Sequence, residues 1–144
     1  MVNIKEFRGF CENINGKLEM VFSKDKNLDE DKITKAKEEV EKIILEFMMS
    51  SIGNASLPDE DFGRYSLVYH AAQELLISKG YVNFLSDFKN NPEKLKEYSP
   101  DFIEDRLNKS ISDVEFYYHT LYFLTSTTLK YMPRTKDEIT KVLQ

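Results

Sequence analysis

The chain contains little of three residue types that many enzyme signatures require. Among its 144 residues there are one cysteine, two histidines and five glycines. The single cysteine, Cys11, excludes an internal disulfide, and so few glycines leave no glycine-rich loop around a nucleotide phosphate. The sequence also contains no Gly-x-Ser-x-Gly elbow and no His-Glu-x-x-His helix. The usual signatures of nucleotide-binding proteins, α/β-hydrolases and zinc proteases are therefore absent.

A long hydrophobic run is also missing. No segment approaches the roughly 18 apolar residues that a membrane-spanning helix needs. The first ten residues carry Lys5, Glu6 and Arg8, where a signal peptide requires an uninterrupted apolar core. We therefore expect a cytoplasmic protein that does not contact a membrane.

An excess of basic charge is the third absence. The chain has 20 Lys and Arg against 25 Asp and Glu, which gives a net charge of −5 and an isoelectric point near 5.1. Proteins that bind a phosphate backbone usually present a clustered basic face. We therefore expect no direct nucleic-acid partner, whereas a basic protein would be attracted to this chain.

Apolar residues at helical spacing are abundant. Hydrophobic residues make up 41% of the chain and aromatic residues 12%, which is the composition of a compact globular protein. Apolar positions recur at steps of three and four, and no alternation typical of strands occurs. The chain contains neither a repeat nor a linker, so we predict one all-α domain over residues 1–144, a compact bundle of six to eight helices.

The densest apolar stretch, at about 112–132, has the sequence SDVEFYYHTLYFLTSTTLKYM. Its large side chains lie most of the way round a helix, so this helix needs neighbours on several sides. Ser112 and Glu115 form a capping box at its start, and Pro133 ends the pattern. We predict an aromatic-rich central helix with the other helices packed around it.

Local start and stop signals divide the rest of the chain into shorter helices. Proline follows a capping residue at Ser99-Pro100, and Gly80 is typical of a residue just beyond a helix end. The predicted segments are 2–22 with a possible break near Gly16, then 27–51, 62–79, 81–89, 92–98, 100–109, and a last helix from Thr135.

Two pairs of potential metal ligands occur at helical spacing. His70 and Glu74 are four residues apart, and so are Glu115 and His119, which places each pair on one helix face. The Glu-x-x-His spacing of di-iron bundles is not present, and the same spacing also suits two local hydrogen-bonded pairs. We predict no metal and no cofactor.

The segment from Arg64 to His70, RYSLVYH, resembles the Arg-then-His motif of the HEPN ribonucleases. Those proteins are small and all-helical, and they usually act as dimers. The resemblance covers seven residues, and Tyr65 stands where that family usually has a polar residue. It implies a metal-independent ribonuclease in which His70 is the general acid or base and Arg64 stabilises phosphate charge.

Acidic and aromatic side chains are concentrated in two segments that could bind a partner. A basic protein surface is recognised by aromatic anchors together with carboxylates that accelerate association. The candidate partner-binding residues are Asp59, Glu60, Asp61, Glu97, Tyr98, Asp101, Phe102, Glu104 and Asp105.

The sequence leaves three hypotheses about function. The first is a small acidic immunity or antitoxin-type protein, without catalytic activity, that binds a basic bacterial nuclease toxin and occludes its active site. The second is the HEPN-like ribonuclease using Arg64 and His70. The third is a regulatory or phage-encoded helical protein with no catalytic activity. The oligomeric state does not follow from the sequence.

Overall fold

The computed structural model describes residues 2–22, 29–50, 56–91 and 93–132. These residues form four α-helices and one short 3-10 helix, and no strand is present among them. The helices are α1 (Ile4–Phe22), α2 (Glu30–Ser50), α3 (Asp59–Lys89) and α4 (Pro100–Tyr131), and the 3-10 helix is Lys94–Lys96. The prediction of an all-helical fold is confirmed.

The predicted number of six to eight helices is wrong, because two expected breaks do not occur. Helix α3 continues through Gly80, and α4 runs without interruption past Ser112. Glycine inside a helix costs about 1 kcal/mol, which the apolar packing on either side of Gly80 can offset. The predicted helix over 92–98 is reduced to the 3-10 helix, and the one predicted from Thr135 lies outside the described residues.

All four helices contribute to one large apolar core. Helix α4 packs against α3 and α1, α1 also packs against α2, and α2 makes few contacts with α3. Tyr118 of α4 reaches α2, where its hydroxyl donates to Glu41. The side chains buried in this core include Phe7, Ile14, Leu18, Val40, Ile44, Val68, Leu75, Tyr118 and Leu121.

A second, smaller core holds α3 and α4 together near the connection between them. It consists of Leu85, Phe88, Ile103 and Leu107, and none of its members belongs to α1 or α2. Helices α3 and α4 have 31 and 32 residues, whereas α1 and α2 have 19 and 21. The additional turns form a two-helix extension, which we call the hairpin end and define as residues 82–108.

The predicted central helix is only partly enclosed by the described chain. Phe116 and Phe123 are two turns apart on the outer face of α4, and they are 60% and 67% exposed. The opposite face of α4 is buried against the other helices through Val114, Tyr118 and Leu121. The apolar residues around this helix therefore reflect one buried face and one exposed face.

Candidate protein-binding surface

The structure separates the predicted partner-binding residues into two groups. Asp59, Glu60 and Asp61 form the first turn of α3, whereas residues 97–105 lie at the hairpin end. A helix rises about 1.5 Å per residue, so Asp61 and Phe88 are about 40 Å apart along α3. The two groups cannot contribute to one compact contact surface.

One member of the first group, Asp61, is occupied by a structural interaction. Asp61 is only 5% exposed, and its carboxylate accepts a hydrogen bond of 3.1 Å from Nη1 of Arg64. Acidic side chains in a first helical turn also face the positive end of the helix dipole and stabilise it. Asp59 and Glu60 are exposed, so they remain accessible to a partner.

The second group, residues 97–105, adjoins two rings of α3 in a continuous series of aromatic rings. Tyr98 and Phe102 stack with their centroids 5.8 Å apart, Tyr98 lies 5.6 Å from Phe88, and Phe88 lies 5.8 Å from Phe84. Phe88 is buried, whereas Phe84, Tyr98 and Phe102 are 59%, 53% and 50% exposed. We call these four residues the aromatic row.

Local chemistry at the start of α4 positions two of these rings. Ser99 is the N-cap, and its side chain accepts a hydrogen bond of 3.2 Å from the backbone N–H of Phe102. Pro100 follows at the first helical position, where its fixed φ and missing N–H suit a helix start. Tyr98 and Phe102 are therefore presented on either side of a well-defined helix terminus.

Acidic side chains accompany the aromatic row. Residues 97–105 contain four acids and no base, and Glu97, Asp101 and Asp105 are exposed. Glu104 is instead paired with Lys89, with 2.7 Å between Oε2 and Nζ. Lys94 and Lys96 in the adjoining 3-10 helix are also exposed and reduce the local negative charge.

Sequence reasoning missed the contribution of α3 to this surface. Ile77, Tyr81 and Phe84 are 45%, 56% and 59% exposed, and we call them the α3 stripe. Their spacing of four and three residues was visible in the sequence. Periodicity alone could not distinguish an exposed stripe from a buried one, because α3 has two apolar faces.

Arg64 and His70 do not lie on the same face of α3. They are six residues apart, which corresponds to a rotation of about 120° and a rise of about 9 Å. Arg64 is half-buried and paired with Asp61, and His70 is exposed, its ring perpendicular to that of Tyr69 with 6.4 Å between the centroids. The ribonuclease hypothesis remains a prediction.

The two His/Glu pairs do not converge either. Glu115 pairs with Lys37 of α2 at 2.8 Å, and the ring of His119 stacks on Phe22 of α1 at 4.1 Å. His70 lies on the exposed face of α3. Within the described part of the chain, no three His, Cys, Asp or Glu side chains are placed to hold a metal ion.

Cys11 has the properties of a structural thiol. Its side chain is fully buried in the large core, and burial, with a smaller contribution from the charge of Glu12, raises its pKa to about 12. The thiolate that nucleophilic chemistry needs is therefore scarce at neutral pH.

None of the described helices is long and apolar enough to cross a membrane. Comparison of the chain with protein-family models, with curated proteins and with solved structures found no match. The functional argument therefore depends on the geometry of the surface itself.

Proposed function

We propose that this protein acts by binding a basic protein through the aromatic row and the carboxylates beside it. The observation that carries the proposal is the exposure of three rings of the aromatic row, Phe84, Tyr98 and Phe102, next to the acidic start of α4. In its most specific form, the protein is an immunity or antitoxin-type inhibitor that covers the active site of a basic bacterial nuclease toxin.

The aromatic row has the character of a binding anchor. Burying an exposed phenylalanine contributes about 1.5–3 kcal/mol, and aromatic side chains dominate the energetics of many protein interfaces. Phe84 packs on buried Phe88, Phe88 contacts Tyr98, and Tyr98 stacks on Phe102, so each exposed ring is held by an aromatic neighbour before a partner arrives. A pre-ordered surface loses little side-chain entropy on binding.

Charge and shape support an inhibitory role. Exposed carboxylates at Glu97, Asp101 and Asp105 can occupy the positions of substrate phosphates on a basic nuclease. The hairpin end extends beyond α1 and α2, because its small core involves only α3 and α4. Such an extension can enter a cleft, and the bulk of the bundle would then block access for nucleic acid.

The test is an affinity capture that compares matched variants of the full chain. Wild type, a Tyr98→Ser/Phe102→Ser variant and a Phe116→Ser/Phe123→Ser variant would each be used to isolate partners from lysate of the native cells. We expect wild type and the Phe116→Ser/Phe123→Ser control to retain one basic protein in stoichiometric amount. The Tyr98→Ser/Phe102→Ser variant should retain at least tenfold less of that protein. Equal recovery by all three chains would contradict the proposal.

The role of the carboxylates in this proposal is tested by measuring association rates with the purified partner. Asp101→Ser/Asp105→Ser should slow association and flatten its dependence on salt, because exposed charges act mainly on the encounter rate. Glu12→Ser/Glu46→Ser is the matched control, since both acids are exposed on α1 and α2 and the net charge changes equally. Identical association rates for the two variants would exclude a specific role for Asp101 and Asp105.

A further inference from the structure

We propose that a cleft between α3 and α4 binds a small zwitterion of dipeptide size. The carboxylate of this ligand binds Arg106 and Lys109, and its ammonium group binds the two acids of the cleft. The cleft lies on the α4 side of the α3 stripe and has a volume of about 160 Å³. It is separate from the aromatic row, so this inference does not depend on the proposed function. Three observations carry it: the unpaired charges of the cleft, their order along it, and a buried hydroxyl group between them.

Four charged side chains line the cleft without neutralising one another. Arg106 and Lys109 are basic, and Glu74 and Asp113 are acidic. Lys109 and Asp113 are four residues apart on α4, a spacing at which opposite charges can pair. Within the described chain, however, none of the four takes part in an ion pair. All four charges are therefore available to a ligand.

The two signs of charge are separated along the cleft. The end of α3 packs against the start of α4, so the two helices run antiparallel. Arg106 and Lys109 lie nearer the connection between the helices than Asp113 does. Glu74 is the lining residue of α3 that lies farthest from this connection. The cleft is thus positive at one end and negative at the other, with about 10 Å along the helix axis between Arg106 and Asp113.

This polarity selects a zwitterion over a simple anion or cation. An anion attracted by the two bases would be repelled by the acids at the other end, and a cation would be repelled by the bases. A molecule with a carboxylate and an ammonium group several bonds apart binds both ends through charge-assisted hydrogen bonds. The cleft holds several water molecules, yet it is smaller than the roughly 300–1,000 Å³ of pockets for drug-sized ligands, which favours a small molecule.

A buried hydroxyl group lies between the two charged ends. Ser78 is one turn from Glu74 in the direction of the connection, lines the cleft and is 7% exposed. Its hydroxyl forms no hydrogen bond among the described residues, whereas Thr120 and Thr125 donate to carbonyls of their own helix. No fully buried side-chain oxygen of the described residues lacks a partner, so this one is accessible from the cleft. The peptide group of a dipeptide would supply the missing hydrogen bond.

The test is a titration of the isotope-labelled full chain with diglycine, followed through the amide resonances in NMR spectra. We expect saturable shifts centred on residues 74–81 and 106–117. N-acetylation of diglycine removes the ammonium group, and amidation removes the carboxylate. Each modification should weaken binding at least tenfold, because one end of the cleft then loses its partner.

Variants of the basic end have a matched control. Arg106→Gln/Lys109→Gln should weaken the binding of diglycine at least tenfold. Lys94→Gln/Lys96→Gln changes the net charge equally at two exposed residues outside the cleft and should leave binding unchanged. The amide spectra of both variants verify that the helices are intact.

The hydroxyl group and the acidic end are tested with a second probe. 5-Aminopentanoate has the same number of bonds between its charges as diglycine but no peptide group. Ser78→Ala should weaken diglycine about fivefold and leave 5-aminopentanoate unchanged, since only the peptide group uses the hydroxyl. Asp113→Asn should weaken both probes, whereas Asp87→Asn, at an exposed position of α3 outside the cleft, should weaken neither.

Three outcomes would overturn this inference. The first is the absence of saturable shifts with diglycine. The second is binding that the variants of the cleft and their controls change equally, or that N-acetylation and amidation leave unchanged. The third is tighter or equal binding of 5-aminopentanoate, independent of Ser78, which would make an ω-amino acid the ligand in place of a dipeptide.

Discussion

Tyr118 connects the apolar core to a polar cluster between α2 and α4. Its side chain is 2% exposed, and its hydroxyl donates to Oε1 of Glu41 at 3.0 Å. Nζ of Lys37 lies 5.2 Å from the centre of the ring and 2.8 Å from Glu115. Burial, followed by the charge of Glu41, raises the pKa of Tyr118 well above its ordinary value. The hydrogen bond from Tyr118 to Glu41 therefore joins α4 to α2 only while the phenol is protonated.

We predict that Tyr118→Phe lowers the free energy of unfolding by about 1 kcal/mol at pH 7, since one hydrogen bond to a partly exposed carboxylate is lost. A group whose pKa is raised in the folded state contributes stability that is present below the unfolded pKa, about 10 for tyrosine, and that is lost as pH rises above it. Wild type should therefore lose stability between pH 9 and 11 more steeply than the variant.

Urea unfolding at several pH values in this window measures the difference. Tyr131→Phe is the control, because Tyr131 is 59% exposed and its removal should alter neither the stability nor the slope. If the free energies of unfolding of wild type and Tyr118→Phe change in parallel with pH, folding does not raise the pKa of this phenol.

Cys11 provides a second test at the scale of the residue. Since the thiol is fully buried and its pKa is raised to about 12, we predict that it reacts with a disulfide reagent at pH 8 at least a hundredfold more slowly in the native protein than in urea. The rate should increase with urea in parallel with global unfolding. Rapid reaction of the native protein would indicate local opening of α1.

At the scale of the element, packing determines where α4 begins. Capping signals occur at Ser99 and at Ser112, yet only Ser99 starts a helix. Ile103, Leu107 and Val114 are buried on one side of α4, and this continuous face keeps the chain helical through Ser112. Local signals mark possible termini, and tertiary burial selects among them.

We predict that Ser99→Ala destabilises the protein by about 1 kcal/mol, because it removes the acceptor for the Phe102 N–H. Ser112→Ala should be neutral or slightly stabilising, since alanine is the better residue inside a helix. Thermal unfolding of the two variants makes the comparison. A similar loss in both would mean that a helix starts at Ser112, as its capping box predicts.

The same contrast explains what the sequence could and could not predict. The helical class and the start of α4 followed from apolar spacing and from Ser99-Pro100. The continuity of α3 through Gly80 did not follow, because a glycine is compatible with both a helix end and a helix interior. The exposed site was found only in part: Tyr98 and Phe102 stood among acids, whereas Phe84 joins them through the contact of Phe88 with Tyr98, which periodicity does not specify.

At the scale of the whole molecule, the surface proposed for binding lies where the fold has least support. The large core draws on all four helices, whereas the hairpin end depends on the four residues of the smaller core. Regions with few buried apolar contacts open at lower free energy than the rest of a protein. We therefore expect the hairpin end to open locally more often than the four-helix part, which stays intact during such an opening.

Hydrogen exchange should reveal this difference directly. We predict that amides in residues 82–89 and 100–108 exchange through openings of lower free energy than amides in 68–76 and 114–122. Ile103→Ala removes a side chain that is 2% exposed in the small core and should reduce protection mainly at the hairpin end. Ile14→Ala in the large core should lower the free energy of opening throughout the protein, by about 2–5 kcal/mol. Uniform protection in wild type, or an equal effect of both substitutions everywhere, would show that the two cores unfold as one unit.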